Sequence, residues 1–300
     1  MVTGGAGFFG SWLVEHLLAT GTEVTVVDRQ AGAMTPSPGL RVIEATADDA
    51  TFDTLLAQPL DVVFHLAGPA LVPLSLADPW ANLEESARPT LALLNAAVRA
   101  AAPPTVVLAS SAAVYGDPEV LPITEEHRLR PKSPYGVAKL ACEQYLRLYH
   151  DLYGLPTISV RPFSLYGPRQ RKLVIYDLLR RLQAGEDPLV IAGHQDVMRD
   201  FVFVGDAARG IAQVARAGRA EGEAYNLCSG TGTALGTLVD LLQQAGGTSA
   251  DTEFTGSVRA GDPMRWTGDP AGAAALGVRC DTPLLDGLAL TAEWCRTDGG

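Results

Sequence analysis

The chain opens on Val2-Thr3-Gly4-Gly5-Ala6-Gly7-Phe8-Phe9-Gly10, and the residues that follow carry Trp12, Leu13, Leu17 and Leu18 at helical spacing. A short apolar run, a glycine turn and an amphipathic helix, in that order, constrain the fold more than any other stretch. Bare backbone N–H groups at the start of a helix can approach a dinucleotide pyrophosphate that any Cβ would obstruct. The candidate cradle residues are Gly4, Gly7, Phe8, Phe9 and Gly10. Only Met1, Val2 and Thr3 precede the turn, whereas a buried strand usually runs about five residues. The first strand is therefore expected to be short.

The strand-then-helix rhythm continues along the chain. Apolar runs at 23–28, 41–44, 61–66, 105–110 and 157–161 alternate with helical patterns that include 52–57, 82–101 and 135–153. Such alternation predicts an α/β fold with a Rossmann-type, doubly wound parallel sheet. Beyond residue 161 the strands shorten to 189–191, 201–204 and 224–227, between helices at 174–184, 206–216 and 234–245. We therefore expect a mainly dinucleotide-binding part over 1–165 and a smaller, mainly substrate-binding lobe over 166–300, with segments of the second interleaved into the first. Gly167-Pro168 and the stretch 256–263 concentrate chain breakers and read as loops over a ligand at the carboxyl ends of the strands.

Asp28 ends the second apolar run. A carboxylate there can accept hydrogen bonds from ribose hydroxyls and repel a 2'-phosphate, which favours NAD over NADP; Arg29, beside it, works against that preference, since a guanidinium could pair with such a phosphate. Further along, Tyr135 and Lys139 stand four residues apart and so share a helix face. The Lys139 ammonium can stabilise the Tyr135 phenolate, giving a base for an alcohol proton. The same pair on an ordinary solvated helix face would do nothing, so the surrounding motifs decide between the two.

Bulk properties narrow the class. With 300 residues, 47% of them hydrophobic, the chain can bury a sizeable core. A net charge of -11 without clustered Lys and Arg argues against a nucleic-acid partner. No apolar run reaches the roughly 18 residues of a membrane span and no charged leader opens the chain, so a cytoplasmic protein is expected. Cys142, Cys228, Cys280 and Cys295 are scattered without metal-ligand spacing, which predicts reduced thiols and no metal site.

Six segments in order then carry a resemblance: 3–10, Asp61-Val62-Val63-Phe64-His65-Leu66-Ala67-Gly68, Ser110-Ser111-Ala112-Ala113-Val114-Tyr115-Gly116, Tyr135 with Lys139, Arg161-Pro162-Phe163-Ser164-Leu165-Tyr166-Gly167-Pro168-Arg169, and Arg199-Asp200-Phe201-Val202-Phe203-Val204. With these the chain resembles, nearly end to end, the extended short-chain dehydrogenase/reductase family in its NAD-dependent nucleotide-sugar epimerase/dehydratase branch. The resemblance implies that Ser111 hydrogen-bonds the reacting sugar oxygen, that Tyr135 is the acid/base, and that Lys139 also holds the nicotinamide ribose. It implies further that Leu66, Ala67 and Gly68 line the cofactor, and that Pro162 and Phe163 lie near the nicotinamide. Ser164, Arg199 and Arg259 become substrate contacts, the two arginines on the diphosphate, a task that suits a permanent multi-donor cation. His65 is expected to be packed. Tyr115, Ser164 and Tyr166 are candidates for the pocket or for packing. Helices 82–101 and 137–153, the second with Leu140, Tyr145, Leu148 and Leu152, resemble the pair that forms a homodimer interface in the family.

Departures bear on the chemistry. Where the family commonly has Asn, this chain has Ser86 in Ser86-Ala87-Arg88-Pro89-Thr90, and again Ser164 before Tyr166-Gly167-Pro168. Each loses reach and a donor. An adenine-contacting Asp aligns with either Thr46 or Asp48. Family dehydratases place Asp-Glu after the catalytic hydroxyl and decarboxylases a Glu nearby; this chain has Ala112-Ala113. Without a second proton carrier there, elimination of water is unsupported, and C4 epimerisation of a nucleotide diphosphate sugar through a 4-keto intermediate is the expected reaction. A 4-keto-sugar reductase would use the same residues, and a catalytically silent nucleotide-binding protein is the alternative outside enzymes.

Overall fold

The computed structural model describes residues 1–30, 34–257 and 263–297. Its strands are β1 (Val2–Thr3), β2 (Val24–Asp28), β3 (Leu40–Glu44), β4 (Val62–His65), β5 (Thr105–Ala109), β6 (Thr157–Pro162), β7 (Ser164–Tyr166), β8 (Leu189–Ile191), β9 (Met198–Phe203), β10 (Glu221–Leu227), β11 (Gly232–Ala234) and β12 (Thr252–Phe254). Its helices are α1 (Phe8–Ala19), α2 (Asp49–Leu55), α3 (Val72–Ala77), α4 (Pro79–Arg99), α5 (Pro134–Tyr153), α6 (Leu173–Gln183), α7 (Val204–Ala217), α8 (Leu235–Gly246), α9 (Ala271–Ala275) and α10 (Leu284–Thr297).

Seven strands form one parallel sheet in the order β10-β6-β5-β4-β1-β2-β3. The runs that build it are apolar on both faces because both faces are covered. Within β5, Val107 and Ala109 join the core under α1 and α7, while Val106 and Leu108 join the core under α2, α4 and α5. Strand order reverses around β1, which has β2 on one side and β4 on the other. A crevice outside the carboxyl ends at such a point is where this architecture takes a ligand.

A third core joins α6, α8 and α10 to Tyr166, Phe201 and Phe203, beside small sheets β11-β9-β7 and β12-β8. Strand β10, late in the chain, returns to pair with β6 in the main sheet. Among the described residues no helix is long and apolar enough to cross a membrane.

Several boundaries differ from those read in the sequence. Helix α4 starts at Pro79, because Asp78 accepts from the Ala81 N–H as its cap and proline suits the first helical position. It also runs through Pro89, which costs the bond to the Glu85 carbonyl without ending the helix. Val204 begins α7 instead of ending a strand. Strands β7, β11 and β12 are too short for a periodic signal, and α10 is disguised by Gly287. Glycine is needed at that position because a Cβ would overlap the Tyr166 hydroxyl.

Candidate active site

The glycine turn joins β1 to α1. Gly4 has φ +70°, open to glycine without strain, and a Cβ on it would lie 2.8 Å from the Ala67 backbone nitrogen. Gly10 packs so closely on the Gly4 carbonyl that any side chain would overlap it. No side chain caps α1 at Gly7, so the turn presents an uncapped helix N-terminus. Asp28, at the end of β2, accepts from the Ala6 N–H at 3.1 Å and so borders the same turn. Leu66, Ala67 and Gly68 follow β4 alongside, tied in by the Ala67 N–H donating to Thr3 Oγ1 at 3.2 Å. A cradle that side chains would fill, with a carboxylate at its rim, fits the dinucleotide NAD.

The second half of the site lies at the end of β5. Ser111 caps the short turn 112–114, its Oγ accepting from the Ala113 N–H at 3.1 Å. Ser133 caps α5 in the same way through the Gly136 N–H at 3.2 Å. Gly136 is what lets α5 land on the 112–114 turn, since a Cβ there would sit 2.6 Å from the Ala113 carbonyl oxygen. Its neighbour Tyr135 is thereby brought to the Ser111 turn. Lys139, one helical turn further, is buried, donates from Nζ to the Ala109 carbonyl at 2.9 Å, and lies 6.0 Å from the Tyr135 ring centroid. Ser111, Tyr135 and Lys139 thus converge from two segments on one strand end.

His65 is packed. Its Nδ1 is 2.8 Å from Thr3 Oγ1 and its Nε2 is 3.2 Å from Thr90 Oγ1, with the ring fully enclosed. Burial, and after it the Lys139 charge, push its pKa down to about 3. The imidazole is a neutral spacer between β1, β4 and α4.

On the lobe side, Pro162 ends β6 and Phe163 is buried, its ring 6.5 Å from Tyr115 and 6.1 Å, edge-on, from Trp266. Ser164 begins β7 and is half-buried. Arg199 on β9 donates to the Met198 and Pro263 carbonyls, both at 2.9 Å, with its guanidinium 5.6 Å from the Trp266 ring centre. Phe163, Trp266 and Arg199 form a row from the end of β6 toward the lobe. Arg259 lies outside the described residues. Trp266 is not legible as a site residue in the sequence, where a lone Trp in a loop carries no pattern.

Tyr115 and Tyr166 prove to be packing residues. Tyr115 donates to Asn226 Oδ1 at 2.7 Å and accepts from Arg161, which pairs with Glu143 at 2.7 Å inside the core. Burial pushes the Tyr115 hydroxyl up to about 12. Tyr166 is enclosed and donates to the Leu284 carbonyl. Asp48 caps α2 through the Thr51 N–H, and Ser86 is buried with its hydroxyl donating to the Asn82 carbonyl at 2.8 Å. Both side chains thus make a bond within their own helix. Buried Asp200 accepts from Ser229 N and Oγ, Gly230 N and Gly268 N, stitching β9 to two loops.

The chain is similar to known proteins over nearly its whole length. A sequence profile of the NAD dependent epimerase/dehydratase family matches residues 1–228. A UDP-glucose 4-epimerase from Mycolicibacterium smegmatis is 32% identical, covering 99% of this chain and 98% of its own. A dTDP-glucose 4,6-dehydratase from Streptomyces antibioticus is also 32% identical, over 99% of this chain and 92% of its own. Among solved structures, the UDP-glucose 4-epimerase of Thermus thermophilus in complex with NAD superposes with a TM-score of 0.88 at 31% identity, covering 99% of this chain and 98% of that one.

Proposed function

Because the chain belongs to the NAD dependent epimerase/dehydratase family, we propose that it epimerises a nucleotide diphosphate sugar at C4, through a transient 4-keto sugar, with NAD held throughout the cycle. The observation that carries the reading is the convergence of Ser111, Tyr135 and Lys139 at the end of β5, followed by buried Ala112 and Ala113 in place of further acids. NAD, when bound, accepts and returns the hydride. Tyr135 takes the proton from O4 and gives it back, Ser111 hydrogen-bonds the same oxygen, and Lys139 steadies the phenolate while holding the cofactor ribose.

In this reading Gly4, Gly7, Phe8, Phe9 and Gly10 hold the pyrophosphate, Asp28 the adenosine ribose, and Leu66, Ala67, Gly68, Pro162 and Phe163 border the nicotinamide side. Ser164, Arg199 and Arg259 contact the sugar nucleotide. The functional division runs between a mainly NAD-binding 1–165 and a mainly sugar-binding 166–300, with β10 crossing back.

A homodimer through α4 and α5 belongs to the same reading, supported by Trp80 and Leu152, 72% and 62% exposed, with Tyr145 and Leu148 also on the surface. Leu140 is not part of that face, since it packs against the chain's own core.

The test is proton NMR of UDP-glucose and a panel of other nucleotide sugars with the purified protein and no added dinucleotide. A C4 epimer should accumulate to a constant ratio, and denaturation should release NAD. Turnover only of a 4-keto sugar, with reduced nicotinamide consumed in proportion, would replace the epimerase by a reductase.

A further inference from the structure

We propose that Trp266 is a positioning residue: it ties Arg199, on the lobe, to the joint between the segments that carry Ser111 and Tyr135, and so fixes the span over which a nucleotide diphosphate sugar is held. The inference rests on the reading above and names what sets that span. An indole offers a ring face for a cation and one N–H that seeks an acceptor. Trp266 uses both. The Arg199 guanidinium lies 5.6 Å from its ring centre, and its Nε1 donates to the Gly116 carbonyl at 2.8 Å.

Gly116 is where those two segments meet. It follows the 112–114 turn that Ser111 caps, and its φ of +71° is open to glycine without strain. A Cβ on it would overlap the Arg130 carbonyl and lie 3.4 Å from Lys132 Cγ, in the stretch that leads to Ser133 and Tyr135. Asp117 closes the same joint. One of its carboxylate oxygens pairs with Lys132 at 3.0 Å, and the other accepts from the Met264 N–H at 3.2 Å.

Segment 263–266 therefore meets the joint through both Met264 and Trp266, and it is fastened to β9 as well. The Met198 N–H donates to the Met264 carbonyl at 2.9 Å, the Trp266 N–H to the Met198 carbonyl at 3.1 Å, and Arg199 to the Pro263 carbonyl at 2.9 Å. Those bonds hold the segment on the lobe, and the indole reaches from there to Gly116. A substrate gripped by its diphosphate at one end and by its reacting oxygen at the other reacts only when the two grips are correctly spaced. Trp266 and Asp117 set that spacing, and the proton and the hydride are handled elsewhere.

UDP-glucose and UDP are the probes, and turnover of UDP-glucose by the unaltered protein tests the underlying reading by itself. Trp266→Phe keeps a ring beneath Arg199 and loses the donor to Gly116. Its kcat should fall about tenfold, less than the roughly hundredfold of a 1 Å misplacement, while UDP affinity and NAD retention stay unchanged. Asp117→Ala, on the half-exposed side of the joint, should show the same split with its melting temperature little altered. Trp266→Leu removes the ring too, so UDP, read from melting temperature against its concentration, should bind about fivefold more weakly as well. Full kcat in Trp266→Phe, UDP affinity that falls in step with kcat in Trp266→Phe or Asp117→Ala, or unchanged UDP affinity in Trp266→Leu would each overturn the assignment.

Discussion

Lys139 Nζ donates to the carbonyl oxygen of Ala109 at 2.9 Å, joining α5 to the last residue of β5. That bond holds a buried ammonium beside Tyr135, where burial without a partner would cost several kcal/mol. Lys139→Met should therefore keep the fold while losing turnover, and it should bind NAD at least about tenfold more weakly, the loss of roughly one charge-assisted hydrogen bond. Activity assays together with the NAD retained through gel filtration check both. Unchanged NAD retention would remove the ribose from its role.

Tyr135→Phe separates proton transfer from binding. The ring still packs on the first turn of α5, but no proton can be taken, so kcat should fall by about two to four decades with NAD retention unchanged. Steady-state kinetics beside released-nucleotide absorbance measures the two. Comparable turnover would sink the acid/base role.

Gly136→Ala tests whether close approach of α5 to the 112–114 turn sets the site. The added Cβ would meet the Ala113 carbonyl at 2.6 Å, so one backbone must move. We expect a stability loss of roughly 1–3 kcal/mol. A drop in kcat of about a hundredfold should accompany it, on the scale of a 1 Å misplacement. Urea denaturation and kcat are the measurements, and a variant with full activity would show that Tyr135 is placed by other contacts.

His65 makes acid stability a readout of packing. Its folded pKa of about 3 lies below the ordinary value of 6.5, so the unfolded chain takes up a proton that the folded ring refuses. The associated stability is present above about pH 6.5 and is lost progressively as pH falls toward 3, by roughly 2 kcal/mol between pH 6.5 and 5. His65→Gln should flatten that limb in urea titrations at the two pH values. An unchanged slope would mean that the ring charges in place.

Much of this architecture was legible because parallel strands under helices demand continuous apolar runs, and 105–110 or 61–66 could hardly be anything else. Ser111, Tyr135 and Lys139 were legible as candidates, since they sit on recognisable segments, and their roles rest on the proposed reaction. What escaped depended on contacts between distant parts of the chain. Tyr115 reads equally as a pocket or a packing residue until its hydroxyl is found between Asn226 and Arg161. Trp266 acquires meaning only from the edge-on contact of Phe163 and the Arg199 guanidinium over its ring.

Arg199 and Arg259 should act on substrate affinity and hardly on the hydride step, because the diphosphate lies at the other end of the substrate from the reacting carbon. Arg199 also binds the Pro263 carbonyl and stacks on Trp266, so it connects β9 to the loop that follows the stretch containing Arg259. Arg199→Ala should consequently lower the melting temperature as well as raise KM, whereas Arg199→Lys should retain charge but lose the planar fork and part of the stacking. Each Ala variant should raise KM by about one to two decades, equivalent to roughly 1.5–3 kcal/mol for a charge-assisted contact, with a much smaller change in kcat. Inhibition by the free nucleoside diphosphate isolates the diphosphate from the sugar and should weaken by the same factor as KM. If inhibitor affinity is unchanged in both variants, neither arginine holds the diphosphate, which is then bound elsewhere.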